Sequence, residues 1–493
     1  MNIIKDLYKP SLSLLTDLYQ LTMANGYWKV DRADDESVFH LFFRKHPFNG
    51  GYTIACGLSY IIDFLNNFRF DQDDIQYLSR IEGNDGKPLF EEAFLKYLQN
   101  LQFSLDIDAI PEGTVVFPHQ PLVRVKGSLL QAQLIETPLL NMINFQSLIA
   151  TKSARICLAA KREPVLEFGL RRAHGIDGGL AASRAAYIGG CAATSNVLAG
   201  KIFNIPVRGT HAHSWVMIFD HEIEAFEAYA DAMPNNCVFL VDTYDTLEGV
   251  KNAIQVGKQL RKKGYEMAGI RLDSGDLAYL SIEARKLMDQ AGFTNTAIVA
   301  RNDLDENIIS SLKHQDAAIT IWGVGTRLVT AHDQPALGGV YKLSAIRQQG
   351  QAWQYKVKKS EQVIKTSTPG ILQVRRYHDT IGTVADMVYD INMGVPENTK
   401  IIDLSNPSRC REIQANLKSE DLLVPIFREG KQVYENPSIT DIQQRTFRQL
   451  SSFHKSILRL VNSHGYPSGL EENLYRLKEK LLQNFRNPEL KNR

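Results

Sequence analysis

Cysteine is scarce and unsuited to a cysteine-based scaffold. The 493-residue chain has five, at positions 56, 157, 191, 237 and 410, and an odd set with no close pair makes neither a metal knuckle nor a redox motif. They read as reduced structural thiols of a cytoplasmic protein. An excess of one charge is also missing: 56 Lys and Arg stand against 55 Asp and Glu, so there is no basic field for nucleic acid and no acidic tail. Long hydrophobic runs are absent. The nearest, Leu134 to Ala150, is broken by Glu136, Asn141, Asn144 and Gln146, which argues against a membrane partner. Met1 to Tyr19 carries Lys5, Asp6 and Asp17 and lacks the form of a signal peptide. No internal repeat, low-complexity tract or Walker-type Gly-x-x-x-x-Gly-Lys-Ser/Thr loop occurs.

What remains is an ordinary globular composition, 44% apolar and 23% charged, in a chain longer than one core usually supports. Between about 160 and 345, short β-branched runs alternate with amphipathic stretches of helical length, the pattern of βα units around a parallel sheet. The expected strands are Pro164–Phe168, Val207–Thr210, Val238–Asp242, Ala268–Leu272, Ala297–Ala300, Ile319–Trp322 and Gly339–Leu343. Helices are expected over Glu222–Met233 and over Thr246–Lys263, the latter stopped by Gly264. The expected architecture is an α/β fold: an irregular barrel over 121–344, a smaller α/β domain over 1–120 completed by 345–400, and a C-terminal extension over 401–493. Within the extension, Ser468 to Phe485 reads as a surface helix with Leu470, Leu474, Leu477 and Leu481 on one stripe.

In a parallel barrel the carboxyl ends of the strands share one mouth, where active sites lie. Here those ends read Glu167/Gly169/Arg171, Thr210/His213, Asp242/Tyr244, Arg271/Asp273/Ser274, Asn302/Asp303 and Gly323/Gly325/Thr326. Two consecutive turns, Arg301 to Glu306 and Trp322 to Arg327, suit phosphate, because glycine lets backbone N–H groups approach an anion and Arg327 adds a cation. Either alone also describes an ordinary βα turn. Arg271 with Asp273 and Asp276 fits a charged ring substituent, sugar hydroxyls or a magnesium ion, and equally an ion pair with a Ser274 cap. Asp245 reads as the N-cap of the helix from Thr246, which leaves Asp242 for function. His213 can exchange a proton or accept a phosphoryl group near neutral pH. The spacing His211-x-His213 also admits a zinc pair, as in metal-dependent barrel hydrolases, although no further histidine stands at the other strand ends.

Together these residues resemble the nicotinate phosphoribosyltransferase family. The resemblance is carried, in order, by Leu15-Thr16-Asp17-Leu18-Tyr19-Gln20, Phe42-Phe43-Arg44-Lys45, Glu136-Thr137-Pro138, Glu167-Phe168-Gly169 with Arg171-Arg172, Ala193-Thr194-Ser195-Asn196, Ala212-His213-Ser214, Val241-Asp242-Thr243-Tyr244-Asp245, Arg271-Leu272-Asp273-Ser274-Gly275-Asp276 and Gly323-Val324-Gly325-Thr326.

The resemblance implies transfer of phosphoribose from phosphoribosyl pyrophosphate to nicotinic acid, giving nicotinate mononucleotide and pyrophosphate for NAD synthesis, with ATP as co-substrate and Mg²⁺ as cofactor. It implies a homodimer with shared active sites. On matching positions, His213 would be transiently phosphorylated, Tyr19 from the partner subunit and Phe168 would sandwich the pyridine ring, Arg271 would meet the ring carboxylate, and Arg44 would contact pyrophosphate. Asp242 or Asp273 would steady an oxocarbenium-like ribose. Arg171, Asn302, Gly323, Gly325 and Thr326 complete the expected binding rim. Nicotinamide phosphoribosyltransferases share several motifs, but where they carry an aspartate that binds the amide this chain has Ser195, which favours the acid. Arg301 departs from the small residue more usual before Asn302-Asp303.

Overall fold

The computed structural model describes residues 11–161, 163–362 and 365–484. The start of the Met1–Tyr19 segment and Phe485 lie outside the described residues. The chain divides into two compact units, one of Met1–Ser147, Ala336–Ser438 and Phe447–Arg493, the other of Leu148–Pro335 and Ile439–Thr446. The barrel unit therefore starts near 148 rather than 121, and residues beyond 401 form no separate extension.

The unit of Leu148–Pro335 holds an all-parallel sheet. Its strands lie in the order Ala193–Thr194, Val165–Glu167, Ile321–Val324, Ala297–Ala300, Gly269–Leu272 and Val238–Leu240. That order is the chain order wrapped into a ring, with one opening between Ala193–Thr194 and Val238–Leu240. The segment expected as a strand at Val207–Thr210 stands in the opening and makes only a single parallel bridge, Thr194 to Val207. Between this segment and Val238–Leu240 no ladder forms among the described residues. Side chains close the seam instead: Leu240 N–H donates to His211 Nε2 at 3.3 Å, and the Asn236 amide donates to Gly209 O at 3.3 Å.

The intervening helices follow from their apolar spacing. Glu222–Ala232 buries Ala225, Phe226, Tyr229 and Ala230. Thr246–Lys262 buries Val250, Ala253, Ile254, Gly257 and Leu260, the i, i+3, i+4, i+7 stripe of a helix on a sheet. Each fully buried Leu or Phe stabilises the fold by roughly 1.5–3 kcal/mol. Asp245 caps the second helix by accepting from Glu248 N–H at 2.9 Å, as the sequence predicts, and Gly264 follows its end at φ +85°.

The other unit is mainly antiparallel. One sheet runs Gln354–Tyr355, Gly339–Arg347, Glu36–Phe43, Val123–Ser128, Asp106–Ala109, Val424–Arg428 and Lys431–Gln432. Gly339–Leu343, expected in the barrel, thus pairs with Glu36–Phe43. A second sheet runs Cys410–Glu412, Lys400–Ile402, Ser468–Glu471, Thr383–Asp390, Leu372–His378 and Lys418–Asp421. The expected helix over 468–485 starts late, at Glu472, because Ser468–Leu470 pairs in parallel with Asp386–Val388. At the centre of this sheet Arg376 and Asp386 are both fully buried and paired at 2.6 Å.

Candidate active site at the barrel mouth

Arg271 is the third residue of its strand, and its guanidinium rises into the mouth. NH1 donates to Thr210 Oγ1 at 2.6 Å, NH2 lies 3.9 Å from Asp273 Oδ2, and the buried Nε has no partner. Burial lowers its pKa, with Arg301 and Arg171 adding to the effect and Asp273 and Asp242 opposing it. Three guanidinium groups therefore share one field, a setting that attracts anions. Arg301 contacts Asp273 Oδ2 at 3.2 Å, so the departure from a small residue supplies the partner of a catalytic candidate. Arg171 is exposed on the single turn Leu170–Arg172.

Asp242 is half committed. Its Oδ2 accepts from Asp273 N–H at 2.9 Å and from the Ser274 hydroxyl at 2.6 Å, while its buried Oδ1 has no partner. Ser274 thus braces Asp242 and caps no helix; Asp276 caps Leu277–Gln290 through Tyr279 N–H at 3.1 Å.

The two histidines face different partners. His213 opens the short helix His213–Val216 and places Nδ1 3.1 Å from Thr243 Oγ1. His211 is buried, with its ring 4.7 Å from that of Tyr229 and its Nε2 receiving Leu240 N–H. Burial lowers its pKa to about 4, with Arg271 and His213 contributing and the Ala212 carbonyl opposing. A neutral imidazole that accepts at Nε2 carries its proton on Nδ1. The zinc-pair reading lacks its geometry, and among the described residues no group of three or more His, Cys, Asp or Glu side chains is arranged to hold a metal.

Opposite lies the aromatic wall. Glu167 is buried and accepts from Thr194 Oγ1 at 2.5 Å, Ser183 Oγ at 2.9 Å and the Gly169 N–H. These bonds fix the turn that presents Phe168. The Phe168 ring lies against Gly323, where a Cβ would stand 2.9 Å from it, and a Cβ at Gly325 would stand 3.1 Å from Phe168 O. Only glycine permits that approach. Ser195 follows the strand Ala193–Thr194 and donates its N–H to Glu167 O at 2.9 Å, which ties its backbone to the strand end beside Phe168.

The two phosphate-type turns differ from expectation in one respect. Thr326 opens the helix Thr326–Val329, but Arg327 is held by the buried Asp305 at 2.6 Å, so that guanidinium is not offered to a ligand. Asp305 also caps Glu306–His314 by accepting from Asn307 and Ile308 N–H at 2.9 Å, and Glu306 is buried against Lys152 at 2.7 Å and Arg155 at 2.9 Å. This anchored base holds Asn302 at φ +123° and Asp303 at φ +37°. Such a conformation costs about 1–3 kcal/mol per residue and clusters at ligand sites. No sequence signal marks the pairing of Asp305 with Arg327 or of Glu306 with Lys152 and Arg155, because each spans more than twenty residues.

The barrel unit therefore brings together Phe168, Arg171, Ser195, His213, Asp242, Arg271, Asp273, Asn302, Gly323, Gly325 and Thr326. Tyr19 and Arg44 belong to the antiparallel unit. Tyr19 is 50% exposed on the helix Leu18–Lys29, with its pKa raised by partial burial and by Glu136 and Asp17. Arg44 follows the strand Glu36–Phe43 and has a buried Nε without a partner.

Known proteins resemble this chain in sequence and fold. The profile described as the nicotinate phosphoribosyltransferase (NAPRTase) family matches residues 165–386, that of the family's N-terminal domain matches 14–144, and that of its C-terminal domain matches 373–478. The nicotinate phosphoribosyltransferase of Bacillus subtilis is 44% identical over 478 residues, covering 94% of each chain. That of Homo sapiens is 35% identical over 94% of this chain and 95% of its own. The crystal structure of human nicotinic acid phosphoribosyltransferase superposes with a TM-score of 0.82 at 32% identity, covering 94% of this chain and 99% of that one. A nicotinate-nucleotide pyrophosphorylase from Pyrococcus furiosus, 22% identical with a TM-score of 0.68, shares the fold. No helix among the described residues is long and apolar enough to cross a membrane. Matched over 94% of its length by a relative 44% identical to it, and by family profiles in its N-terminal, central and C-terminal parts, the chain belongs to the nicotinate phosphoribosyltransferase family.

Proposed function

We propose that the protein joins nicotinic acid to the phosphoribosyl group of phosphoribosyl pyrophosphate, forming nicotinate mononucleotide and pyrophosphate for NAD synthesis in the cytoplasm, with ATP hydrolysis coupled through His213. The observation that carries this reading is the open fork of Arg271, a buried guanidinium in the mouth that no carboxylate takes up bidentately. A ring carboxylate is its natural complement. Phe168 supplies one face for the electron-poor pyridine, and an exposed Tyr19 from a partner subunit supplies the other, which makes the working state a homodimer. Ser195 puts no charge at the rim to repel the acid.

In the transfer, the pyridine nitrogen gives its electron pair to C1′ of the ribose as the bond from C1′ to pyrophosphate breaks. Asp242 and Asp273 steady the positive charge on the sugar. The backbone of Asn302 and Asp303, Gly323 to Thr326, and Arg171 hold phosphate oxygens. Arg44 meets the leaving pyrophosphate. Asp242 Oδ1, buried and unpartnered, is the oxygen suited to a Mg²⁺ ion brought in by the diphosphate. Such an ion would neutralise the departing charge, and Mg²⁺ commonly takes only one or two protein carboxylates. At His213, Nδ1 is engaged with Thr243 Oγ1 at 3.1 Å, which leaves Nε2 to take the γ-phosphoryl group of ATP, with ADP leaving; water later removes the phosphoryl group.

Pyrophosphate release measured with and without nicotinic acid and ATP, together with acid-labile phosphate on the protein, tests the reading. We expect release to require nicotinic acid and ATP to raise it, and we expect His213→Ala to lose both the labile phosphate and the ATP stimulation. Equal stimulation in His213→Ala rules out the coupling, and a preference for nicotinamide rules out the substrate.

A further inference from the structure

We propose that Arg301 is a specificity-determining positioning residue: by holding the carboxylate of Asp273, it keeps the guanidinium of Arg271 open to a ring that carries an acid. This role deepens the proposed function and rests on its assignment of Arg271. Two guanidinium groups reach for one oxygen. Arg301 NH1 lies 3.2 Å from Asp273 Oδ2, and Arg271 NH2 lies 3.9 Å from the same atom. A charge-assisted hydrogen bond closes at about 2.7–2.9 Å and is lost by about 3.6 Å. Arg301 therefore has the oxygen and Arg271 does not, and a shift of about 1 Å would reverse that.

The backbones around this oxygen are pinned, so side-chain torsions set the choice. Arg271 is the third residue of the strand Gly269–Leu272, and Asp273 N–H donates to Asp242 Oδ2 at 2.9 Å. Arg301 N–H donates to Leu272 O at 2.8 Å, which fastens the two strand ends side by side. The turn beyond it stands on the ion pairs of Asp305 and Glu306. The side chains of Arg271, Arg301 and Asp273 are only 10%, 18% and 20% exposed, so water screens their charges weakly. Remove Arg301, and the guanidinium left beside Oδ2 is that of Arg271. Its NH1 is tied to Thr210 Oγ1 at 2.6 Å, which leaves NH2 to turn towards the carboxylate. The pair would then close as Arg376 and Asp386 do at 2.6 Å, and the place of an incoming carboxylate would be filled from within the protein. A neutral amide ring depends less on that charge and would lose less.

Equilibrium titration of nicotinate and of nicotinamide into the full chain tests this, using wild type, Arg301→Met, Arg301→Gln and Arg301→Lys. Nicotinate should bind about tenfold or more weakly to the Met and Gln variants, nicotinamide should lose much less, and Arg301→Lys should recover much of the acid affinity. If Arg301→Met does not fold, Arg301→Gln, closer in polarity, carries the comparison. Asp273→Asn separates positioning from bare charge. With no carboxylate to close on Arg271, adding Arg301→Gln to that background should change nicotinate affinity little. An undiminished loss there overturns the proposal in favour of direct attraction by Arg301, and so does an equal loss for acid and amide. A crystal structure of Arg301→Gln should show Asp273 hydrogen-bonded to Arg271, and a gap still at 3.9 Å also overturns it. Nicotinate binding without pyrophosphate release from phosphoribosyl pyrophosphate would sink the proposed activity and leave the role of Arg301 standing, whereas a wild type that binds no nicotinate ends both.

Discussion

Arg376 and Arg271 are both buried arginines in β-sheets, and they differ in what surrounds the guanidinium. Arg376 is saturated: Nε and NH2 grip the two oxygens of Asp386 at 2.8 and 2.6 Å, NH1 reaches Gln449 at 2.7 Å, and NH2 also reaches Val115 O at 2.7 Å. Asp386 is completed in turn by Gln120 at 2.7 Å and Tyr466 at 2.9 Å. Arg271 has one good bond and an empty Nε, and its carboxylate neighbour stands 3.9 Å away. A closed network rigidifies a core. An open one leaves valence for a ligand, so completeness of hydrogen bonding rather than burial separates Arg376 from Arg271, the arginine proposed to meet the ring carboxylate.

The comparison breaks first at Asp386. Replacing it by alanine should lower unfolding free energy by about 3–5 kcal/mol, the cost of stranding a buried charge, seen as a lower urea midpoint. Arg271→Ala should do the reverse, keeping a near wild-type midpoint while kcat/KM for nicotinate falls on the order of 100-fold, about 2.7 kcal/mol; a large drop in midpoint would mean that Arg271 too is structural. The smallest effect is expected at the barrel seam. His211→Phe removes the acceptor of Leu240 N–H and should cost ~1–2 kcal/mol at pH 7. Because the folded pKa of His211 is about 4 and the unfolded value near 6.5, the unfolded chain takes up the proton first. The stability His211 contributes is intact above about pH 6.5 and drains away as pH falls towards 4. Wild-type and His211→Phe midpoints should converge over that window, and parallel curves would show that His211 does not hold the seam.

Local signals were the legible ones. The strand runs at 165, 238, 269 and 297, the helix from Glu222 and the Asp245 cap all depend on neighbours within a turn or two, and the sequence places them. Gly339–Leu343 alternates like any strand, and nothing in its own residues tells it to pair with Glu36–Phe43 three hundred positions earlier. Ala193–Thr194 is too short to have a period. At the mouth, the residue types at each strand end were readable, but which side chains were already engaged was not: Arg327 looked available until Asp305 took it, and Asp242 proved open at only one oxygen.

The contact between Phe168 and Gly323 has a consequence for anyone reshaping this pocket or designing compounds to fill it. The ring already rests against bare backbone, with no methyl group left beneath it to trim away. Deepening the slot is therefore closed as a route to larger heterocycles, and even Gly323→Ala would tilt the ring outward and narrow the opening. Selectivity has to be redrawn laterally, by exchanging Phe168 itself or by working across the rim at Ser195, where hydroxyl, amide and carboxylate can be swapped without disturbing the floor.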